Sequence, residues 1–183
     1  MTDNTNSKKK VKYILVIAAV LATVFMMTSC GSNANKVNDS KKFAEELYAA
    51  KVTDINDTAA IVDLFEVMEL EDRAGEYTVE ISQEGENLVL VLNVAISVNQ
   101  EDKETFDKNM EVCAQQMLAL IPQVDRVQWV YSVTSSSNKA ETAVMAVNHV
   151  DFNKSLGNAP AKFGESVDAV LEMLKKQSVV MIG

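Results

Sequence analysis

The chain is short of the residues on which most enzyme and metal chemistry depends: it has one histidine, two cysteines, two prolines and six glycines in 183 positions. A single histidine excludes the His-Glu-x-x-His helix of zinc peptidases. It also restricts any Ser-His-Asp or Cys-His arrangement to one base, His149. Asp151 and Ser155 follow it closely, but no Gly-x-Ser-x-Gly elbow accompanies them, and His149 is expected to end a strand as a hydrogen-bonded imidazole. No Gly-rich phosphate loop can be assembled from the six scattered glycines. On these grounds the chain is read as a non-enzyme that needs no cofactor.

What is present is most informative at the start. Lys8, Lys9, Lys10 and Lys12 precede an uncharged run from Tyr13 to Met27, 15 residues long. A spanning helix needs about 20 apolar residues, so the run fits the apolar region of an export signal better than a stable anchor. Met27-Thr28-Ser29-Cys30-Gly31 follows and resembles the lipobox of bacterial lipoproteins, with Met27 where Leu is usual. The resemblance implies that residues 1–29 are a signal peptide and that Cys30 becomes the acylated N-terminus, carrying diacylglycerol and a palmitate-type chain. The protein would then be held by that lipid on the outer face of the cell membrane. Residues 30–40 have little to bury and read as a tether, and residues 41–183 as one domain.

Without residues 1–29 the chain keeps 154 residues, a common single-domain size that buries about 70% of its unfolded surface without staples. Taking four lysines and one aspartate from 17 basic and 26 acidic side chains leaves 13 and 25, a net charge of −12. Such a surface repels nucleic acid and anionic headgroups. With Cys30 committed to lipid, Cys113 has no disulfide partner, and it is expected on the apolar face of a helix as a small hydrophobe. One His and one Cys then remain for zinc, too few for a structural site.

Hydrophobic periodicity predicts alternating helices and hairpins. Phe43, Leu47 and Ala50 form a short helix capped by Asp39 or Ser40, and Ile61, Leu64, Phe65 and Met68 a second capped by Asn56 or Asp57 and stopped at Gly75. Tyr77, Val79 and Ile81 alternate as a strand, Glu84 to Asn87 turn, and Leu88 to Val98 is a longer strand with Leu88, Leu90, Leu92, Val94 and Ile96 on one face. The strongest helix runs from Asp102 to Ile121, with Phe106, Met110, Cys113, Met117 and Leu120 on its stripe and Pro122 as its stop. Val127 to Val133 and Ala140 to Val150 form a second hairpin across a polar loop. Ser166 caps a last helix that buries Val167, Val170, Leu171 and Leu174. The fold class is α+β, a four-stranded antiparallel sheet from two hairpins with helices packed on one face.

The remaining candidates have structural readings. Asp54, Asn56 and Asp57 are spaced like part of a calcium loop, but no glycine and distal glutamate complete it, so helix capping is their expected work. Glu66, Glu69, Glu71 and Asp72 read as a solvated helix end rather than a hydrolase carboxylate pair. Trp129 and Tyr131 alternate with Val127 and Val133 and are expected in the core, as are Met110 and Met117.

Tyr48 to Val52 with Asp54 to Ile61, Tyr77 to Ile81, Leu118 to Ile121 with Val124 to Tyr131, and Lys162-Phe163-Gly164-Glu165-Ser166 together resemble an uncharacterised extracytoplasmic domain family. That family occurs in lipoproteins of Gram-positive bacteria and as the outer segment of membrane metallopeptidases similar to the β-lactam-sensing antirepressor proteases. The resemblance spans nearly all of residues 43–176. It implies a sensing or interaction module, and it transfers no catalytic residues.

Three functional classes follow. The first is a non-enzymatic binding or sensory module at the cell surface, of unknown ligand. The second is an envelope-assembly or structural lipoprotein that contacts another membrane or envelope protein. The third is a carboxylate-based hydrolase. A deep apolar pocket with convergent polar groups would favour the first, an exposed unpaired strand the second, and close carboxylates with raised pKa the third.

Overall fold

The computed structural model describes residues 13–15, 33–135 and 139–180. In chain order these form β1 (Tyr13–Leu15), α1 (Asn33–Ala49), α2 (Thr58–Val67), α3 (Leu70–Ala74), β2 (Tyr77–Glu84) and β3 (Asn87–Asn99). Then come α4 (Lys103–Leu120), β4 (Arg126–Thr134), β5 (Ala140–Asn148), α5 (His149–Leu156), α6 (Pro160–Phe163) and α7 (Val167–Val180). The predicted lipidation residue Cys30 lies outside the described residues, and among those described no helix is long and apolar enough to cross a membrane.

Both expected hairpins form, β2 with β3 and β4 with β5, each antiparallel. They join differently from the all-antiparallel expectation: β3 and β4 are parallel, so the sheet is mixed. The reason is the connection. α4 has 18 residues and spans about 27 Å, enough to carry the chain back to the starting end of β3, where β4 sets off in the same direction. Sheet order follows chain order, β1-β2-β3-β4-β5. The extra strand β1 lies within residues 1–29 and pairs antiparallel with Val79–Ile81 on the outer edge of β2.

Alternation sets which side is covered. Val79, Leu90, Leu92, Val127, Trp129, Tyr131 and Val147 face the helices and are buried, while Thr78, Asn93, Val144 and Ala146 on the other face are exposed. β3 carries two additional residues between Asn93 and Ser97 relative to β4. An insertion of two keeps the pleat in phase, so Val98 is buried beside Val133. Ile96, expected in the core, lies on the inserted stretch and is exposed.

Several local expectations are refined. The helix after Asp57 is two: Asp57 caps α2 by accepting from Ala60 N–H, Glu69 takes a left-handed φ of 52°, and α3 then ends at Gly75 with φ 77°. α1 begins at Asn33, inside the segment expected to be a tether, and buries Ala44 and Leu47. The fourth predicted strand stops at Asn148 instead of Val150, because the Asn148 side chain accepts from the backbone N–H groups of Val150 and Asp151 and starts α5 there. On α7, Ser166 Oγ accepts from Ala169 N–H as expected of a cap. The most buried side chains of that helix are Val170, Met173 and Gln177, whereas Val167, Leu171 and Leu174 are half-buried. Gln177 donates to Val112 O and Gln115 Oε1 and accepts from Gln116, which ties α7 to α4 by amides inside an apolar layer.

Candidate functional site

A cleft of about 280 Å³ opens at one end of the sheet, where the β2–β3 turn, the start of β4 and the β5–α5 junction meet. Its walls include Glu84, Asp125, Arg126, Asn148 and His149, with Val89 and Val150 as apolar contributions. The backbone fixes them. Leu88 N–H donates to Asp125 Oδ2 at 2.8 Å while Asp125 N–H donates to Leu88 O at 2.9 Å, a reciprocal pair at the start of the parallel β3–β4 ladder. Arg126 Nη2 donates to Glu84 Oε2 at 2.7 Å, across the turn, and Arg126 Nε is buried without a partner among the described residues.

His149 belongs to this cleft and not to a strand end. Its Nε2 lies 3.1 Å from Val124 O. A carbonyl oxygen only accepts, so Nε2 carries the hydrogen and Nδ1 is the basic nitrogen of the ring. The two residues that sequence proximity offered as catalytic partners are engaged elsewhere. Asp151 lies 3.8 Å from Lys154 Nζ, and Ser155 Oγ accepts from Gln115 Nε2 at 3.2 Å. The cleft therefore presents one imidazole and one guanidinium beside two carboxylates that already hold structural bonds. It is a polar notch able to take up hydrogen-bonding groups, and it is not a deep apolar pocket.

The other predicted residues serve the fold. Asp54 Oδ1 accepts from both the backbone and side-chain nitrogens of Asn56, which holds its carboxyl below the usual range. Glu66, Glu69, Glu71 and Asp72 are exposed. Two of them act at a distance: burial first, then Glu71 and Glu66, push the Tyr77 phenol up to about 12. Cys113 is fully buried on α4, and burial pushes its thiol up. Met110 and Met117 are fully buried. Among the described residues no group of three or more His, Cys, Asp or Glu side chains is placed to hold a metal ion.

Trp129 and Tyr131 lie in the core, with an anchor that sequence reasoning missed. Asp107 on α4 accepts from Trp129 Nε1 and Tyr131 Oη through one oxygen and from Lys103 Nζ through the other. Burial first, then the bond to Asp107, raises the Tyr131 phenol to about 12, and the bond to Asp107 raises the Lys103 ammonium. The signal present in the sequence is a Lys-x-x-x-Asp pair at i, i+4 with Asp107 adjoining the apolar stripe at Phe106.

Three of the stretches that carry the family resemblance, residues 48–52, 118–121 and 162–166, meet in one structural knot. Lys51 Nζ donates to Gly164 O at 2.6 Å, Tyr48 Oη donates to Glu165 O at 3.1 Å, and Val52 N–H donates to Leu120 O at 3.0 Å. Gly164 packs so closely on α4 that a Cβ there would stand 2.0 Å from Ala119 O. These residues lock the α6–α7 connection onto the ends of α1 and α4, which is a packing role.

Compared with known proteins, the sequence matches the family described as a domain of unknown function (DUF4825) over residues 47–144. The Lys162 to Ser166 stretch lies beyond that match. Neither the curated proteins nor the solved structures gave a match.

Proposed function

We propose that this chain, which belongs to the DUF4825 family, is a lipid-anchored lipoprotein whose domain works on the outer face of the cell membrane by binding, without catalysis. The observation that carries the reading is the basic, apolar and lipobox sequence of residues 8–31, which ends in a single acylatable cysteine, Cys30. The cleft chemistry supports the second half. Each ionisable group on its wall has a bond that holds the fold: Asp125 to the β3 backbone, Arg126 to Glu84, His149 to Val124 O. His149 Nδ1 is left over as a base, but the neighbouring Asp151 and Ser155 are bonded to Lys154 and Gln115 and do not complete a catalytic arrangement with it.

The cleft is polar and shallow, which favours a macromolecular surface over a small apolar ligand as the partner. A second reading, contact with another envelope protein through a sheet edge, is favoured by the exposure of β5.

Mass spectrometry of membrane-extracted protein tests the anchor. A diacylglyceryl-modified Cys30 at the mature N-terminus is expected, together with release of a Cys30→Ser variant from the lipidated fraction. An intact residue 1–29 segment in the mature protein overturns the proposal. Crosslinking in the native membrane, with identification of the captured species, tests the binding role.

A further inference from the structure

The two edges of the sheet differ. On the β2 side, β1 covers Val79–Ile81 in the unprocessed chain, and once residues 1–29 are removed β2 still carries two charges of its own, Glu80 and Glu84. On the other side β5 comes last, and among the described residues no strand lies outside it. β5 runs nine residues in unbroken register with β4. Lysines, prolines, bulges, shortness and inward-pointing charges are devices that keep natural edges from pairing. β5 has no lysine, proline or bulge, and its one charge is Glu141 on the helix-bearing face, three residues from Val144. Val144 is 55% exposed and Met145 37%.

We propose that β5 is a dimerisation edge, and that two copies of this chain pair β5 to β5, antiparallel, about a two-fold axis through Val144. A strand that pairs with its own copy makes an isologous contact, so the register is symmetric. Val144 meets Val144, Ala143 meets Met145, Thr142 meets Ala146, and Glu141 meets Val147 of the other copy. The edge's only charge thus faces an apolar side chain and not its own mate, which removes the like-charge contact that a chain of net charge −9 would otherwise risk.

The register also offers an attraction. Glu141, Ala143 and Met145 share the helix-bearing face through their pairing with Val133, Tyr131 and Trp129. Lys103 Nζ lies 4.0 Å from Met145 Sδ on that face. Glu141 of the second copy is the diagonal neighbour of Met145, about 7–8 Å away between backbones and within reach of long side chains. Each copy therefore brings the Lys103 ammonium, which its own Asp107 already holds by one bond, toward the other's Glu141 as a second carboxylate, twice per dimer. On the opposite face Val130 adjoins Val144, so the two copies set four valines in one row across the join. The pairing needs no lipid at Cys30, and its failure leaves the anchoring proposal untouched.

Cysteine crosslinking of the full chain in a Cys30→Ser background tests the register, with buried Cys113 left in place. Opposed strand residues have Cα atoms about 4.5–5.5 Å apart, which suits a disulfide. Val144→Cys is expected to form a covalent dimer on mild oxidation. Thr142→Cys and Ala146→Cys should each give no covalent dimer alone and crosslink when mixed. Val144→Lys, at an exposed position, should weaken association in sedimentation about tenfold or more, since like charges would then face each other. The proposal is overturned if Val144→Cys folds but gives no dimer, if Thr142→Cys alone crosslinks equally well, or if Val144→Cys captures a different protein in place of its own copy.

Discussion

The Tyr131 phenol donates to Asp107 Oδ1 across 2.7 Å, and the same oxygen accepts from Trp129 Nε1 at 3.1 Å. One carboxylate on α4 thus satisfies the two polar tips of the aromatic face of β4. The bonds couple helix to sheet at the point where Phe106 and Tyr131 rings lie 4.7 Å apart. Replacing Asp107 with Ala leaves two buried donors without their acceptor. A loss of about 2–3 kcal/mol is expected, since a bond to a charged group is worth ~1.5–3 kcal/mol and an orphaned buried donor costs as much. Denaturant unfolding checks it, and a change under 0.5 kcal/mol would show that the network is idle.

Stability should also fall at high pH. Tyr131 and Tyr77 each have a folded-state pKa raised to about 12, above the ordinary value near 10. A raised pKa means the folded state holds the proton more tightly. The associated stability is complete below pH 10 and is lost as pH rises from 10 through 12. Lys103, also raised, acts in the same direction. Unfolding midpoints between pH 8 and 12 should decline, and the decline should be shallower in a Tyr77→Phe, Tyr131→Phe double variant. An identical slope in that variant would refute the assignment to these phenols.

Gly164 is a steric requirement and not a conformational one. Its φ of −88° is open to any residue, yet a Cβ would stand 2.0 Å from Ala119 O. Backbone cannot swing aside as a side chain does, so Gly164→Ala should cost about 1–3 kcal/mol, the usual range for overpacking, by displacing α6 from α4. That corresponds to several degrees in Tm for a chain of this size. Lys51→Met should cost less, because it removes one bond to Gly164 O without introducing a clash. Equal melting of Gly164→Ala and the parent would contradict the close approach.

His149→Gln separates binding from catalysis. The imidazole makes one hydrogen bond, to Val124 O, so its replacement should change stability by ~1 kcal/mol or less and weaken partner capture by no more than the loss of one cleft contact, about tenfold. A general base contributes a factor of about 100 or more in rate. A variant that folds normally but loses a measurable turnover would overturn the non-enzymatic reading.

The elements whose character lies in local periodicity are legible in the amino-acid sequence. The period-two pattern of Tyr77, Val79 and Ile81 and the 3.6-residue stripe from Phe106 to Leu120 specify which face is apolar, and each of these segments buries residues on that face. Caps are legible for the same reason, since Asp57 and Ser166 act within three residues of themselves. The short α5 and α6 escape such a reading because Asn148 closes a strand and opens a helix within one residue, leaving no stretch long enough to show a period.

Sequence alone therefore specifies the repertoire: which segments are helices or strands, which side of each seeks the core, and that the ends of α2 and α7 are capped where they are. The choice of partners belongs to the tertiary structure. The parallel join of β3 to β4 depends on where an 18-residue helix returns the chain, and the meeting of Asp107 with Trp129 and Tyr131 on how that helix rotates above the sheet. The cleft around Arg126 and His149 draws on segments more than 60 residues apart, from Glu84 to Val150, and the bareness of β5 is a property of strand order. Each is a relation between distant segments. Side-chain chemistry and local spacing constrain a residue's immediate neighbours, whereas contacts across the chain are selected by packing the whole apolar surface at once.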